Sequence, residues 1–357
     1  MYISRLILRN YRSYSHLDIS FDKGLNIIVG DNGAGKTNIV EAIHFLSLAR
    51  SFRTNETSDL IAKTCQFATI EAKVVKSTTS KQITAILTPS SKKIVCNEKT
   101  VKKISELSSL VNVLVFEPKD ALMFIDSPLV RRNYLDINLS KKSQIYLDNL
   151  MRYEKLLRER NLILKKETID KLQLEVITKQ IIDVSYEIVK YRTMYISEIN
   201  RILSKIISSI KGEKEEAHLL YEPFVKYDEN FKSNATRAYE RALESETKRK
   251  VTLIGIHRED MKMILNGKDI ASFGSQGENR IAVIALKLAP YFLIDDQDER
   301  PIVVLDDVMS ELDKEHRAKL IEFLTKFEQV FITATSVEIK TASIYEVDEH
   351  KVTRRNA

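Results

Sequence analysis

The stretch that decides the fold of this chain is residues 25–42, LNIIVGDNGAGKTNIVEA. Within it, Gly30–Thr37 matches the phosphate-loop pattern G-x-x-x-x-G-K-[ST] at every position. The apolar run Leu25–Val29 before it is typical of a buried parallel strand, and apolar residues recur at helical spacing after it. A glycine-rich turn between a strand and a helix surrounds a phosphate with backbone amides. The sequence therefore predicts a nucleoside triphosphate site.

The loop side chains have separate predicted roles. Lys36 is expected to reach the β- and γ-phosphates and to assist catalysis, and the Thr37 hydroxyl is expected to ligate Mg²⁺. Arg12 is a further candidate contact, near the base. The predicted nucleotide contacts of the loop itself are Gly30, Asp31, Asn32, Gly33, Ala34, Gly35, Lys36, Thr37 and Asn38.

Composition indicates a soluble globular protein of two or three domains. The 357 residues are 43% apolar and 30% charged, and no apolar run approaches the roughly 18 residues of a membrane span. The N-terminal residues lack the apolar segment of a signal peptide. Cys65 and Cys96 form neither a metal-ligand pattern nor a disulfide framework. We therefore expect a cytoplasmic protein without a membrane association.

The positive charge is concentrated in one region. Residues 61–105 contain nine lysines against Glu71 and Glu98, whereas the whole chain carries a net charge of only +6. Such a cluster is typical of a surface that binds a polyanion such as DNA, although lysines that protect exposed sheet edges remain an alternative. The candidate DNA contacts are Lys92, Lys93, Lys102 and Lys103.

Periodicity divides the chain into a head and an inserted arm. Alternating apolar residues predict a hairpin over residues 1–24 and an antiparallel lobe over residues 68–116. Neither glycine nor proline occurs for 83 positions after Pro128, and helical spacing there predicts a short helical arm with its tip near residues 165–171. We expect the last strand at residues 330–334 and an uninformative polar tail beyond Ile344. The predicted parts are residues 1–127 and 251–357 for the ATPase head and residues 128–250 for the arm.

The second strong motif is Ile302–Asp307, an apolar run that ends in two acids. A buried strand of this type (Walker B) delivers Asp306 to the phosphates, where it would hold Mg²⁺ with Thr37. Asp307 would then polarise the attacking water, and its short side chain favours slow hydrolysis. An acidic turn is the alternative interpretation. Because Lys36 and Asp306 lie 270 residues apart, the lobe and the arm must be insertions between strands that meet.

A third motif, residues 273–280 (FGSQGENR), resembles an anion site at a helix N-terminus. Its pattern alone is equally consistent with an ordinary helix start. One γ-phosphate cannot occupy two cradles of one chain, so this motif is expected to serve a second copy. Five of the nine glycines lie in this motif and in the phosphate loop.

Together these motifs resemble the ABC-type ATPases of the SMC/Rad50 group, and in detail the RecF family of bacterial recombination and gap-repair proteins. The stretches that carry the resemblance are residues 25–53, 115–136, 255–260 (GIHRED), 273–289 and 302–313. The resemblance implies an α/β fold: an ABC-type P-loop ATPase head, with a mixed sheet and an antiparallel β lobe, into which the helical arm is inserted. It implies that Ser275, Gln276, Gly277 and Glu278 form the signature that contacts the nucleotide of the opposing subunit, and that residues 310–313 form the D-loop.

The same resemblance implies the activity and the partners. ATP, with Mg²⁺, would join two copies as a homodimer on double-stranded, gapped or junction DNA, and a weak DNA-stimulated ATPase activity would release them. RecO and RecR would cooperate in loading RecA. Two alternatives remain: an ATP-gated structural clamp without meaningful turnover, and a transporter ATPase subunit. The transporter is disfavoured because no glutamine follows residues 113–116 and Thr335 stands near the place of the switch histidine.

Two departures from the family pattern concern acidic residues. Glu278 stands where glutamine is usual and adds a negative charge to the signature. Glu259 replaces a more usual aspartate, which is a mild change.

Overall fold

The computed structural model describes residues 1–102, 104–309, 312–336 and 342–355. The chain divides into two compact units. Unit 1 comprises Met1–Ala121, Lys205–Lys214 and Arg280–Ala357, and unit 2 comprises Leu122–Ser204 and Glu215–Asn279. The predicted parts, residues 1–127, 128–250 and 251–357, divide the chain by function and stay a prediction. The compact units place residues 251–279 with the helical middle of the chain.

The secondary structure alternates between short strands and longer helices. The described strands are β1 (Tyr2–Tyr11), β2 (Tyr14–Ser20), β3 (Gly24–Val29), β4 (Ala68–Val75), β5 (Ser80–Thr88), β6 (Ser91–Cys96), β7 (Lys99–Val101), β8 (Val113–Phe116), β9 (Ala217–Glu222), β10 (Asp260–Leu265), β11 (Lys268–Asp269), β12 (Ile302–Leu305), β13 (Gln329–Ala334), β14 (Ser343–Asp348) and β15 (Lys351–Arg354). The described helices are α1 (Lys36–Leu48), α2 (Ile104–Leu110), α3 (Pro128–Lys142), α4 (Gln144–Leu164), α5 (Lys171–Lys211), α6 (Phe231–Arg249), α7 (Ile270–Phe273), α8 (Gln276–Phe292) and α9 (Lys314–Leu324).

The central sheet of unit 1 is mixed, with strand order β15-β14-β3-β13-β12-β8. All neighbouring pairs are parallel except β14 and β15, which are antiparallel. Strands β3 and β12 are therefore separated by β13 alone, although about 270 residues of chain lie between the motifs that follow them. This arrangement confirms that the strand near residues 110–116 returns to the main core, since β8 pairs with β12.

The expectation for the end of the chain was wrong. Residues 330–334 are not the last strand, because β14 pairs with β3 and β15 pairs with β14. Tyr345 and Val347 are buried in β14 and alternate with Glu346 and Asp348, which face outward. The polar residues on the outer face hid a half-buried strand within a segment of polar composition.

The second sheet of unit 1 is the predicted antiparallel lobe, with strand order β2-β1-β4-β5-β6-β7. The N-terminal hairpin is confirmed and belongs to this sheet, since β1 pairs with both β2 and β4. Apolar residues of both sheets and of α1 form one hydrophobic cluster, which includes Leu6, Ile70, Ile28 and Ile43. Helix α1 packs against α2, β8 and β13.

Unit 2 contains the predicted helical arm and a small sheet. Helices α3, α4 and α5 confirm the two or three long helices, and the break between α4 and α5 falls at residues 165–170, as predicted. Helix α5 is 41 residues long, and its residues 205–211 belong to unit 1. The three-stranded sheet has the order β11-β10-β9. Strand β9 occupies residues 217–222, slightly before the predicted 219–225.

A buried ion pair joins α4 to the end of α6 in unit 2. The guanidinium of Arg160 donates to Glu246 at 2.6 Å, to Thr252 at 2.8 Å and to Thr178 at 2.9 Å. The side chains of Arg160 and Glu246 are 1% and 0% exposed. Because each charge is removed from water, either one alone would be strongly unfavourable in this position.

We expect Arg160→Met to lower the free energy of unfolding by about 3–5 kcal/mol, since it leaves the Glu246 carboxylate buried without its partner. The double variant Arg160→Met/Glu246→Leu should recover most of that loss. Lys248→Met, which breaks the exposed pair with Glu244 on α6, should cost no more than about 1 kcal/mol. Urea denaturation followed by circular dichroism measures all three, and equal losses for the two single variants would contradict the burial argument.

Candidate nucleotide site

The phosphate loop leaves the end of β3 and turns into α1, as predicted. Gly35 is the residue before α1 and has a φ of 111°, a conformation that glycine adopts without strain. Gly30 is required for a different reason: a Cβ atom there would lie 2.2 Å from the carbonyl oxygen of Val347 in β14. The loop is therefore shaped by its own turn and by a strand that is more than 300 residues distant in sequence.

Lys36 lies in the first turn of α1 and is 8% exposed. Its ammonium group donates to the carbonyls of Gly30 at 2.7 Å and Asp31 at 2.8 Å. Burial lowers the pKa of Lys36, and the negative charges of Asp307 and Asp306 act in the opposite direction. The ammonium thus lies inside the loop, in the space that the loop amides surround.

The two predicted metal ligands are in direct contact. The Thr37 hydroxyl donates to Oδ1 of Asp306 at 3.0 Å. Asp306 is 5% exposed, and burial raises the pKa of its carboxyl group, while the hydrogen bonds from Thr333 and Thr37 lower it. A hydroxyl oxygen next to a carboxylate oxygen is a ligand set that suits Mg²⁺.

The described residues contain no cluster of three or more histidine, cysteine, aspartate and glutamate side chains that could hold a metal ion. A Mg²⁺ ion at Thr37 and Asp306 would therefore take its other ligands from phosphate and water, which is how Mg²⁺ binds in nucleotide sites. The residues present fit this ion.

Thr333, at the end of β13, is a site residue that the sequence analysis missed. Its hydroxyl donates to Oδ1 of Asp306 at 2.7 Å and accepts from the backbone N–H of Asp307 at 2.8 Å. Asp307 has a φ of 51°, a left-handed conformation that is uncommon outside glycine and is best tolerated by asparagine and aspartate. One hydroxyl therefore orients both acids of the Walker B motif.

Two aromatic side chains that the sequence analysis also missed pack against the phosphate loop. The Tyr14 hydroxyl donates to the carbonyl of Gly35 at 3.2 Å, and Nδ1 of His350 donates to the carbonyl of Ala34 at 2.9 Å. The two rings contact each other edge to face, with centroids 5.9 Å apart. Tyr14 begins β2 and His350 lies in the turn between β14 and β15, so no local pattern connects either one to the loop.

Arg12 lies beside α1 and pairs with a buried acid there. Its guanidinium donates to both carboxylate oxygens of Glu41, at 2.6 and 2.9 Å, and to the carbonyl of Asp59 at 2.8 Å. Glu41 has a fully buried side chain, which requires a cation of this kind. The predicted contact of Arg12 with a base stays a prediction.

The remaining loop residues are at or near the surface. Asp31, Asn32 and Gly33 are exposed, and the amide of Asn38 donates to the Ser13 hydroxyl at 2.9 Å. These predicted nucleotide contacts are open to solvent, in contrast to Lys36.

The signature stretch lies in unit 2 and forms a capping box at the start of α8. The backbone N–H of Ser275 donates to the Glu278 carboxylate at 2.9 Å, and the N–H of Glu278 donates to the Ser275 hydroxyl at 3.2 Å. This reciprocal pair satisfies two of the free donors at a helix N-terminus. Glutamate at position 278 therefore has a structural role, while Gln276 and Gly277 are exposed.

Asn279 holds the same stretch from below. Its side-chain amide donates to the carbonyls of Ile270 and Ser275, each at 3.1 Å, and the residue is 3% exposed. Its position directly after the predicted signature gave no indication of this role. The backbone before α8 is thereby fixed to α7.

Part of the predicted D-loop and one predicted DNA contact fall in the gaps of the description. Ser310, Glu311 and Lys103 lie outside the described residues. Asp313 accepts from the backbone N–H of His316 at 2.9 Å and caps α9.

The candidate DNA-binding lysines differ in their surroundings. The ammonium of Lys92 donates to the carbonyl of Ala49 at 2.6 Å, directly after the last residue of α1. Lys93 and Lys102 are exposed. Lys92 is therefore engaged within the protein, whereas Lys93 and Lys102 present their charges to solvent.

The phosphate loop, the Walker B acids and the mixed sheet define a P-loop ATPase head of the ABC type. A family model described as the RecF/RecN/SMC N terminal domain matches residues 2–353. A protein of Halalkalibacterium halodurans named DNA replication and repair protein RecF is 36% identical over 99% of this chain and 100% of its own length. A RecF of Geobacillus thermodenitrificans is also 36% identical, over 99% of each chain. This chain belongs to the RecF family.

Solved structures agree with this assignment. The structure titled "recombination mediator protein RecF-ATP in RecFOR pathway" has a TM-score of 0.87 and 28% identity, and the match covers 99% of this chain and 98% of that one. The Smc head domain of Pyrococcus furiosus has a TM-score of 0.59 at 20% identity, covering 99% and 96%, and shows the shared fold alone. In the part of the chain that the structure describes, no helix has both the length and the apolar surface needed to span a membrane.

We expect Thr333→Val to weaken Mg²⁺-dependent nucleotide binding by about tenfold, because it removes one hydrogen bond to the Asp306 carboxylate and one from the Asp307 amide. Thr333→Ser keeps the hydroxyl and should bind nearly as the unmodified protein does. Titration with a fluorescent ATP analogue at several Mg²⁺ concentrations measures the effect. Equal affinities for the valine and serine variants would show that the Thr333 hydroxyl is dispensable.

Proposed function

We propose that this chain is an ATP-dependent DNA-binding protein of recombinational and replication-gap repair. ATP binding closes two copies into a head-to-head dimer on DNA, and slow hydrolysis releases them. The observation that carries this proposal is the contact of Thr37 with the buried Asp306 below the phosphate loop, which is one half of an ATP site. The second half is the signature Ser275–Gly277, which is exposed at the surface of the chain.

The chemistry assigned to each residue follows from its position. Lys36 neutralises phosphate oxygens, and the loop amides, from Gly30 to Thr37, donate to them. Thr37 and Asp306 hold Mg²⁺, which when bound neutralises charge on the β- and γ-phosphates. Asp307 orients the attacking water, and its carboxylate has a shorter reach than glutamate would have. A slow ATPase is the expected consequence.

The signature is proposed to act on the nucleotide of the second copy. In the capping box, the Ser275 hydroxyl accepts from the backbone N–H of Glu278, and the side chain of Glu278 occupies the Ser275 amide. Both groups must turn from the cap to a γ-phosphate when the dimer closes. The negative charge of Glu278 opposes the same phosphate and thereby disfavours a very stable dimer.

DNA binding is supported by the basic region and by the relatives. Lys93 and Lys102 are exposed on the antiparallel lobe, and relatives that match nearly the full chain are named DNA replication and repair proteins. The neighbouring RecF-ATP structure is placed by its title in the RecFOR pathway. We propose that this chain likewise acts with RecO and RecR to load RecA.

The test of the proposed ATPase cycle is Asp307→Asn. The variant should bind ATP, accumulate as a dimer and lose at least about tenfold in turnover, since the amide cannot polarise water. Lys36→Arg should fail to dimerise with ATP. The matched control is Asp295→Asn, an exposed carboxylate of unit 1. Light scattering with ATP and with ADP reports the dimer, and phosphate release reports turnover with and without DNA.

Each result of this test has a clear meaning. Unaltered turnover of Asp307→Asn would show that another group activates the water. Dimerisation of Lys36→Arg would remove the phosphate-loop assignment. A background rate for the unmodified protein, with ATP-driven dimerisation retained, would favour an ATP-gated clamp over an ATPase.

We expect Lys93→Glu/Lys102→Glu to weaken binding of duplex DNA and to reduce the slope of log affinity against log salt by about 0.9 for each DNA phosphate that the variant no longer neutralises. Lys268→Glu, an exposed lysine of unit 2, is the matched control. Lys92 is left unchanged because its removal would also free the Ala49 carbonyl after α1. A slope equal to that of the control would restrict these lysines to a solvated surface.

A further inference from the structure

Two of the sequence stretches that carry the family resemblance have no part in the nucleotide site, and they meet in unit 2. These are the end of residues 115–136, in α3, and residues 255–260, directly before and at the start of β10. Arg131 binds Asp260 through two hydrogen bonds, from Nε to Oδ1 at 2.6 Å and from Nη2 to Oδ2 at 2.9 Å. The contact fixes α3 to β10.

A second buried arginine completes the connection. Arg192 of α5 is 1% exposed and donates to Glu259 at 2.6 Å and to Asp136 at 2.7 Å. The Tyr221 hydroxyl also donates to Glu259. The three carboxylates Asp136, Glu259 and Asp260 are therefore bound by the two arginines Arg131 and Arg192.

Two further arginines of the same stretches form no ion pair with a carboxylate of the described residues. Arg132 donates to the backbone carbonyl of Glu259 at 2.7 Å. Arg258 is exposed, and its guanidinium makes no hydrogen bond or ion pair with any residue that the structure describes. Burial lowers the pKa of Arg132, and the nearby charges of Arg192 and Arg258 lower it further, against the opposite effect of Asp260 and Asp136. Four arginines thus face three carboxylates, and the excess charge lies on the solvent side.

The backbone that carries Arg258 is fixed. Gly255 has a φ of 123°, and a Cβ atom there would lie 2.6 Å from the Tyr153 hydroxyl and 2.7 Å from the Tyr239 hydroxyl. Nδ1 of His257 accepts from the Tyr153 hydroxyl at 2.7 Å, and its Nε2 donates to the carbonyl of Thr252 at 3.3 Å. Of the side chains at positions 256–260, Arg258 alone is exposed.

We propose that Arg132 and Arg258 form a phosphate-binding site on unit 2 and that its ligand is a phosphodiester of duplex DNA. Guanidinium groups match phosphate oxygens through paired hydrogen bonds. An exposed position is screened from a single small anion, whereas a DNA backbone presents many phosphates and releases counterions on binding. The proposal deepens the DNA-binding part of the proposed function and rests on it.

The test compares Arg258→Gln with Arg249→Gln in the full chain. Arg249 is also an exposed arginine of unit 2 and makes no ion pair with a described residue, so both variants remove the same charge. Duplex DNA affinity is measured with ATP over a range of salt concentrations. Arg258→Gln should weaken binding about tenfold at low salt and reduce the salt slope by about 0.9, while Arg249→Gln should leave both unchanged. Arg258→Lys should recover part of the affinity.

A second measurement identifies the source of the phosphate. ATP-driven dimerisation without DNA should be the same for Arg258→Gln and the unmodified protein. If dimerisation is weakened while DNA affinity and slope stay unchanged, the site binds nucleotide phosphate and the DNA assignment is wrong. Equal DNA affinities for the two glutamine variants would also overturn the proposal. Failure of the unmodified protein to bind DNA would instead refute the proposed function on which the site depends.

Discussion

The nucleotide site depends on one buried carboxylate. Asp306 is almost fully removed from water and accepts hydrogen bonds from Thr37 and Thr333 on one oxygen. Burial of an unpaired carboxylate is strongly unfavourable, so the two hydroxyls stabilise it and Mg²⁺ would complete its neutralisation. The contact requires the ends of β3, β13 and β12 to lie at one edge of the sheet, and the parallel register of these strands brings them there. Two insertions, the lobe and the helical arm, are accommodated around this requirement.

The sequence was sufficient for those parts of the fold and site that local patterns encode. The phosphate loop and the Walker B strand each have a fixed spacing of glycines, apolar residues and acids, and the adjacency of their strands follows from the chemistry that they share. Thr333, Tyr14 and His350 could not be found in this way. Each reaches the site from a strand end or a turn that only the tertiary fold brings near, and threonine, tyrosine and histidine at such positions have no distinctive spacing.

Two residues show how one identity can serve a structural and a functional purpose. Glu278 departs from the expected glutamine, yet its capping box with Ser275 supplies a local reason for the carboxylate. Arg12 was expected near a base, whereas the structure pairs it with the fully buried Glu41. In both cases the motif predicted a ligand contact, and the nearest partner is within the protein. Motif position alone does not report which partner a charged side chain has.

The packing of β14 and its turn against the phosphate loop has a consequence for synthesis of the chain. Gly30 lies against Val347, and the Ala34 carbonyl accepts from His350. The loop emerges early from the ribosome, but the residues that support it follow more than 300 positions later. A nascent chain consequently cannot assemble its phosphate site during most of translation. Nucleotide affinity thereby becomes a report that nearly the whole head has been made and folded.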